Sequence, residues 1–164
     1  MRISVFFFIL TTTLLLSGCG SGTARYEGIR FPATTSSQVR FQEHSVPADC
    51  SAFAHLLMNS KMSATGKEIA EAMEAEGMDK GADLILIGMA RELAEEKLEE
   101  NRFDYYGPEY AYNFSKTWLG WKFGFGDWNH AGDLVGLGVD SWGKSDISFA
   151  SPLLIQAVFL RCGE

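Results

Sequence analysis

The chain has 164 residues, enough for one domain of ordinary size, and its 46% apolar and 21% charged residues are those of a globular protein rather than a disordered one. Its 14 basic and 21 acidic residues leave a net charge of −7. No basic cluster is present to neutralise a phosphate backbone, which argues against a nucleic-acid partner.

Residues 1–18 read as a signal peptide. Arg2 charges its start, and an apolar run from Ile3 to Leu16 follows, broken only by Ser4 and by Thr11, Thr12 and Thr13. The run is short for a bilayer span. It ends in Leu16-Ser17-Gly18-Cys19, which resembles the bacterial lipobox, where a peptidase cuts before a cysteine that carries diacylglycerol. That resemblance implies a mature N-terminus at Cys19 and attachment to a membrane through acyl chains, each buried methylene contributing about 0.8 kcal/mol. Gly20, not Asp, comes next. In enterobacterial-type sorting this implies the outer membrane, with the domain facing the periplasm. The alternative is an ordinary secretory signal with an incidental cysteine. Residues 19–37 are rich in Gly, Ser, Thr and Ala, the composition of a flexible tether.

Residues 38–164 are expected to form a single α+β domain. Residues 38–43 alternate, with Val39 and Phe41 on one side, and predict a first strand that Pro47 breaks. Residues 50–58 carry Phe53, Leu56 and Leu57 at helical spacing, although residues 53–58 also suit a strand. Thr65 and Glu68 make a capping box. Ile69, Ala70 and Met73 then recur at the helical period, with Glu68, Glu71 and Glu74 towards solvent. Gly81 predicts the end of this helix. The unbroken apolar run Leu84, Ile85, Leu86, Ile87 predicts a strand covered on both faces. Residues 91–102 favour a helix by propensity, with Glu92 to Glu100 as its solvated face.

From Phe103 the composition changes. Residues 103–149 hold 13 aromatic residues, including all four tryptophans, among many glycines. Trp121, Phe123 and Phe125 alternate with Lys122 and Gly124 and predict a strand. Residues 134–139 and 147–149 suit further short strands, and residues 153–161 predict a last one ending at Cys162. With Cys19 taking lipid, Cys50 and Cys162 remain as an even pair in an exported chain. A disulfide between them would close nearly the whole domain, for about 4 to 5 kcal/mol in chain-entropy models. The alternative is two free thiols, one of them nucleophilic.

The order of lipobox, tether, strand, Cys50, capped helix, Lys80-Gly81-Ala82-Asp83 before Leu84 to Gly88, and Phe159-Leu160-Arg161-Cys162 resembles a group of uncharacterised bacterial envelope lipoproteins. Their small βαβ core is similar to that of the Rcs-pathway stress-sensor lipoprotein. The likeness covers residues 39–88 and 153–162. It implies an α+β domain with a βαβ core, on the periplasmic side of the outer membrane and without enzymatic activity. The stress sensor has two disulfides in its domain where one can form here, and residues 103–149 have no counterpart in it. No binding role is therefore carried over to any residue.

For chemistry, His44, His55 and His130 are the histidines. His55 sits in an apolar run, and a hydrogen-bonded core residue is the expectation. Asp127, His130 and Asp133 have the spacing of a metal site or an acid/base pair, but loops of Asp, Asn, Gly and His are common turn chemistry. The chain contains no G-x-S-x-G, no H-E-x-x-H and no phosphate-cradling glycine loop, and no cofactor or metal is implied. Tyr105, Tyr106, Tyr110, Trp118, Trp121 and Trp128 are candidates for an interaction surface for an envelope protein or a cell-wall glycan. The interleaved glycines favour the other reading, in which the aromatics, with Tyr112 and Trp142, pack over the βαβ unit as a second layer. The expected role is non-enzymatic binding or scaffolding. The alternatives are a cell-wall-acting enzyme built around His130 and a purely structural lipoprotein.

Overall fold

The computed structural model describes residues 28–93 and 101–163. In chain order its elements are β1 (Gln38–Arg40), a 3-10 turn at Glu43–Ser45, β2 (Cys50–Asn59), α1 (Gly66–Lys80), β3 (Leu84–Glu92), β4 (Arg102–Tyr106), β5 (Tyr112–Asn113), α2 (Phe125–Asn129), β6 (Leu134–Val135) and β7 (Leu153–Cys162). The signal peptide, Cys19 and the tether up to residue 27 lie outside the described residues, as do residues 94–100 of the predicted second helix.

Among the described residues seven strands form one mixed sheet in the order β1-β3-β7-β2-β4, with β5 added to β2 and β6 to β3. The apolar run of β7 takes the middle of the sheet, where both faces are covered. β7 is antiparallel to β2 and to β3. Those two strands are therefore parallel to each other, and α1 is the crossover between them. The result is a split βαβ unit with the last strand inserted, in the α+β class expected from the sequence.

Strand alternation sorts the core into two layers. Leu153, Ile155, Ala157 and Phe159 face α1 and join Ile69, Met73, Ile85 and Ile87. Val158 and Leu160 face the other way, with Leu84 and Leu86, and meet Tyr112, Phe114, Trp118 and Trp121. Leu154 turns to the same side and packs with Leu57 and Trp128. The aromatic residues from 112 to 128 thus supply the second layer.

The capping box forms as the sequence suggests. The Glu68 amide donates to Thr65 Oγ1 at 3.2 Å, and the Thr65 amide donates to Glu68 Oε2 at 2.9 Å. The Lys61 ammonium, 2.6 Å from Glu68, and these Thr65 bonds hold the Glu68 carboxyl down at about 2. Two further amides at this helix start donate to backbone carbonyls, Gly66 to Ile147 and Lys67 to Lys144, both at 2.9 Å. Gly81 ends the helix in the left-handed region at φ 82°. Glu74 is only partly solvated, because it accepts a hydrogen bond from the Trp142 indole.

The chain reaches the domain ahead of β1. The Phe31 ring lies 4.9 Å from Phe53. The Thr34 amide donates to Met78 O, and the Thr34 and Ser37 hydroxyls donate to Ala82 O. At the same end of the sheet, Cys50 and Cys162 lie opposite each other in the β2–β7 register and form a disulfide that links residues 112 apart in sequence.

Several predicted elements differ. Residues 50–58 take the strand alternative rather than the helical one. The first strand stops at Arg40, and Glu43 enters the 3-10 turn. Arg91 and Glu92, expected at the start of a helix, extend β3 instead. Their backbones pair with Leu154 and Leu153 of β7, and this ladder overrides helix propensity. Arg102, expected at the end of that helix, begins β4. Residues 121–124 lead into α2, which begins at Phe125; Gly124 takes φ 71°, and among the described residues no strand lies alongside. Their alternation still has a cause: Trp121 and Phe123 both face the sheet. Residues 134–139 pair only at Leu134 and Val135, and residues 147–149 make a single bridge, Ser148 to Thr65.

Candidate functional site

β2 ends in two polar residues that alternate with leucine on the aromatic side of the sheet, His55 and Asn59. They open on different surroundings. His55 is 3% exposed. Its ring lies between Trp118, stacked at 5.8 Å, and Phe123 at 4.6 Å. Its Nε2 shares a hydrogen bond of 2.8 Å with the Tyr112 hydroxyl. Burial, with a smaller contribution from the Lys122 charge, lowers its pKa from 6.5 to about 4. His55 is thus a neutral, hydrogen-bonded core residue, as its apolar context suggested. Burial also raises the pKa of Tyr112.

Asn59 lines a cleft of about 350 Å³ at the end of the sheet. Its floor is Leu57, Leu93, Leu154 and Ala131. Its walls carry Arg102, Asp104 and Tyr106 from β4, Asp127 from α2, and His130 just beyond α2. β4 lies beside β2 with Asn59 opposite Arg102 and Leu57 opposite Asp104, so alternation along β4 sends Arg102, Asp104 and Tyr106 to one side. The Arg102 guanidinium lies 2.7 Å from Asp104. The Tyr106 hydroxyl donates a short hydrogen bond to Asp127 Oδ2. Burial first, and Asp127 second, push the Tyr106 pKa upward, so that its proton stays in place. Beneath, the Trp128 ring is 4% exposed, with the Arg91 guanidinium 5.2 Å from its centre.

The candidate residues scatter over this framework. Cys19 lies outside the described residues, and Cys50 and Cys162 are bonded to each other. Tyr105 points to the opposite face, where its hydroxyl donates to Glu76 of α1. Tyr106 stands on the cleft wall, while Tyr110 is 60% exposed elsewhere. Trp118 and Trp121 meet edge to face at 5.4 Å within the second layer, and the Trp121 indole donates to Glu43. Trp128 is buried and cannot serve as a contact surface. The six aromatics therefore do not form one patch.

Asp127 and His130 do meet in the cleft, but Asp133 does not line it, and the Asp127 carboxylate is engaged by Tyr106. Among the described residues no three of His, Cys, Asp and Glu are placed to hold a metal ion. Sequence reasoning missed Asn59, Arg102 and Asp104. The period-two pattern Arg102-Phe103-Asp104-Tyr105 was the available signal, hidden by extending the predicted helix to Arg102.

No family model, curated protein or solved structure matches this chain. The cleft offers hydrogen-bond donors and acceptors of both signs above an apolar floor, which is the make-up of a binding site.

Proposed function

We propose that the chain is a lipid-anchored bacterial envelope lipoprotein, held in the outer membrane through Cys19, with its α+β domain facing the periplasm in a non-enzymatic binding or scaffolding role. The observation that carries this reading is the Cys50–Cys162 disulfide. Of three cysteines it leaves over the one in Leu16-Ser17-Gly18-Cys19. A disulfide suits an exported chain, and a lipobox needs its cysteine unpaired. The union of β1, β2, β3 and β7 in one sheet, with α1 as the crossover from β2 to β3, further supports the likeness to envelope lipoproteins with a βαβ core. Partners of this domain would be an envelope protein or cell-wall glycan.

Metabolic labelling with an alkyne-bearing fatty acid tests the anchor. The wild-type chain is expected to take the label and to sediment with outer membranes, and Cys19→Ala is expected to do neither. A wild-type chain without label, or a labelled Cys19→Ala chain, overturns it.

One observation favours a second reading, a cell-wall-acting enzyme: His130 shares the cleft with Asp104 and Asp127. His130→Ala decides between the two. An envelope phenotype with folding intact supports the enzyme, whereas its absence leaves the binding role.

A further inference from the structure

We infer that the cleft between β4 and α2 binds an uncharged polyhydroxylated ligand, a short glycan segment, held by Asn59, Asp104 and Asp127. This rests on the binding role proposed above, but not on the lipid anchor.

Asn59 points to a ligand first. It is 9% exposed, and it faces the cleft from the last position of β2. Among the described residues no hydrogen bond to its carboxamide is found. A carboxamide offers two donors and an acceptor. A ligand hydroxyl, which both donates and accepts, satisfies it.

Charge then selects the ligand class. The cleft holds two carboxylates, Asp104 and Asp127, against one guanidinium, Arg102. An anion entering here meets net negative charge. A cation finds both carboxylates already engaged, Asp104 by Arg102 and Asp127 by Tyr106. Each engaged carboxylate keeps lone pairs that accept from neutral O–H groups. The floor provides the complement: Leu93 and Ala131, only partly buried, offer apolar surface to the C–H face of a sugar ring. A volume of about 350 Å³ lies at the small end of the roughly 300–1,000 Å³ common for ligand sites, which suits a short segment rather than a long chain.

Nuclear magnetic resonance of the full-length mature protein, ¹⁵N-labelled in a phosphocholine detergent that contains no sugar, tests the inference. The probes are N,N′-diacetylchitobiose and cellobiose as neutral saccharides, glucosamine as a cation and glucuronate as an anion. The expected result is a saturable shift of the Asn59 side-chain amide with at least one neutral disaccharide. Its affinity is expected to fall tenfold or more in Asp127→Asn and in Asn59→Ala. Asp127 is exposed, so its variant should fold, and it decides alone if Asn59→Ala does not fold. The absence of a saturable shift with both disaccharides, a preference for either charged probe, or an affinity unchanged in Asp127→Asn each overturns the inference. A protein that takes lipid yet binds neither disaccharide refutes the ligand class alone. One that binds a disaccharide but takes no lipid refutes the anchor alone.

Discussion

His55 shows how one side chain ties the two layers together. It belongs to a strand of the sheet, and its ring is enclosed by Tyr112, Trp118 and Phe123 of the aromatic segment. Folding holds it neutral, with its pKa lowered to about 4 from 6.5. The unfolded chain therefore binds a proton between these values that the folded chain refuses. This contribution to stability is fully present above pH 6.5 and is lost as the pH falls towards 4, by about 3 kcal/mol in all. Denaturant melts at pH 7 and pH 4.5 should show the drop, and His55→Phe should remove most of it. An equal drop in the variant would show that other groups set the acid limit. A residue of the same strand, Asn59, is the polar group that the fold leaves facing the cleft.

At the level of elements, α1 is pinned at its start by chain far away in sequence. A Cβ added to Gly66 would lie 1.8 Å from the Ser141 carbonyl oxygen, which is backbone and cannot rotate away. Gly66→Ala must therefore displace the loop that accepts the Gly66 and Lys67 amides. A loss of about 2 kcal/mol or more is expected, against roughly 1 kcal/mol for Thr65→Ala, which removes only the cap. Chemical denaturation compares the two, and equal losses would contradict the close approach. The aromatic segment is the second element with a testable consequence. Trp128 is its most shielded tryptophan, at 4% exposed. Trp128→Phe should therefore raise the mean acrylamide quenching of the remaining emission, and an unchanged value would place Trp128 nearer the surface.

Across the whole molecule the disulfide joins the first residue of β2 to the last residue of β7, and so closes nearly all of the domain. The strands it joins are already neighbours in the sheet, so its effect falls mainly on the unfolded chain. The Cys50→Ser, Cys162→Ser double variant should keep the fold at low temperature but lose about 2 to 5 kcal/mol. A melting temperature that does not change on reduction would contradict this. Such a loss would also appear as faster proteolysis, since marginal domains are cleaved from their open state.

Much of this was legible from local pattern. The capping box, the Gly81 stop, the buried run of β3 and the pairing of two cysteines each depend on neighbours in sequence or on simple counting, and each is found. Where local pattern and sheet competed, the sheet prevailed: Arg91 and Glu92 follow helix propensity less than the ladder with β7. Alternation at Trp121 and Phe123 reported the side that faces apolar surface, but alternation alone cannot say whether a strand lies alongside. The sequence by itself determined the class, the capped helix running into a buried strand, and the cysteine pair, because these follow from periodicity, capping and counting; the βαβ order came only from the resemblance to envelope lipoproteins. Only the tertiary structure decided that Tyr112, Phe114, Trp118 and Trp121 form a layer over one face of the sheet while Tyr105 and Trp142 pack on the α1 side, and that Asn59, Asp104 and Asp127 line one cleft. That meeting depends on which strands become neighbours, a matter of long-range packing that no local pattern encodes.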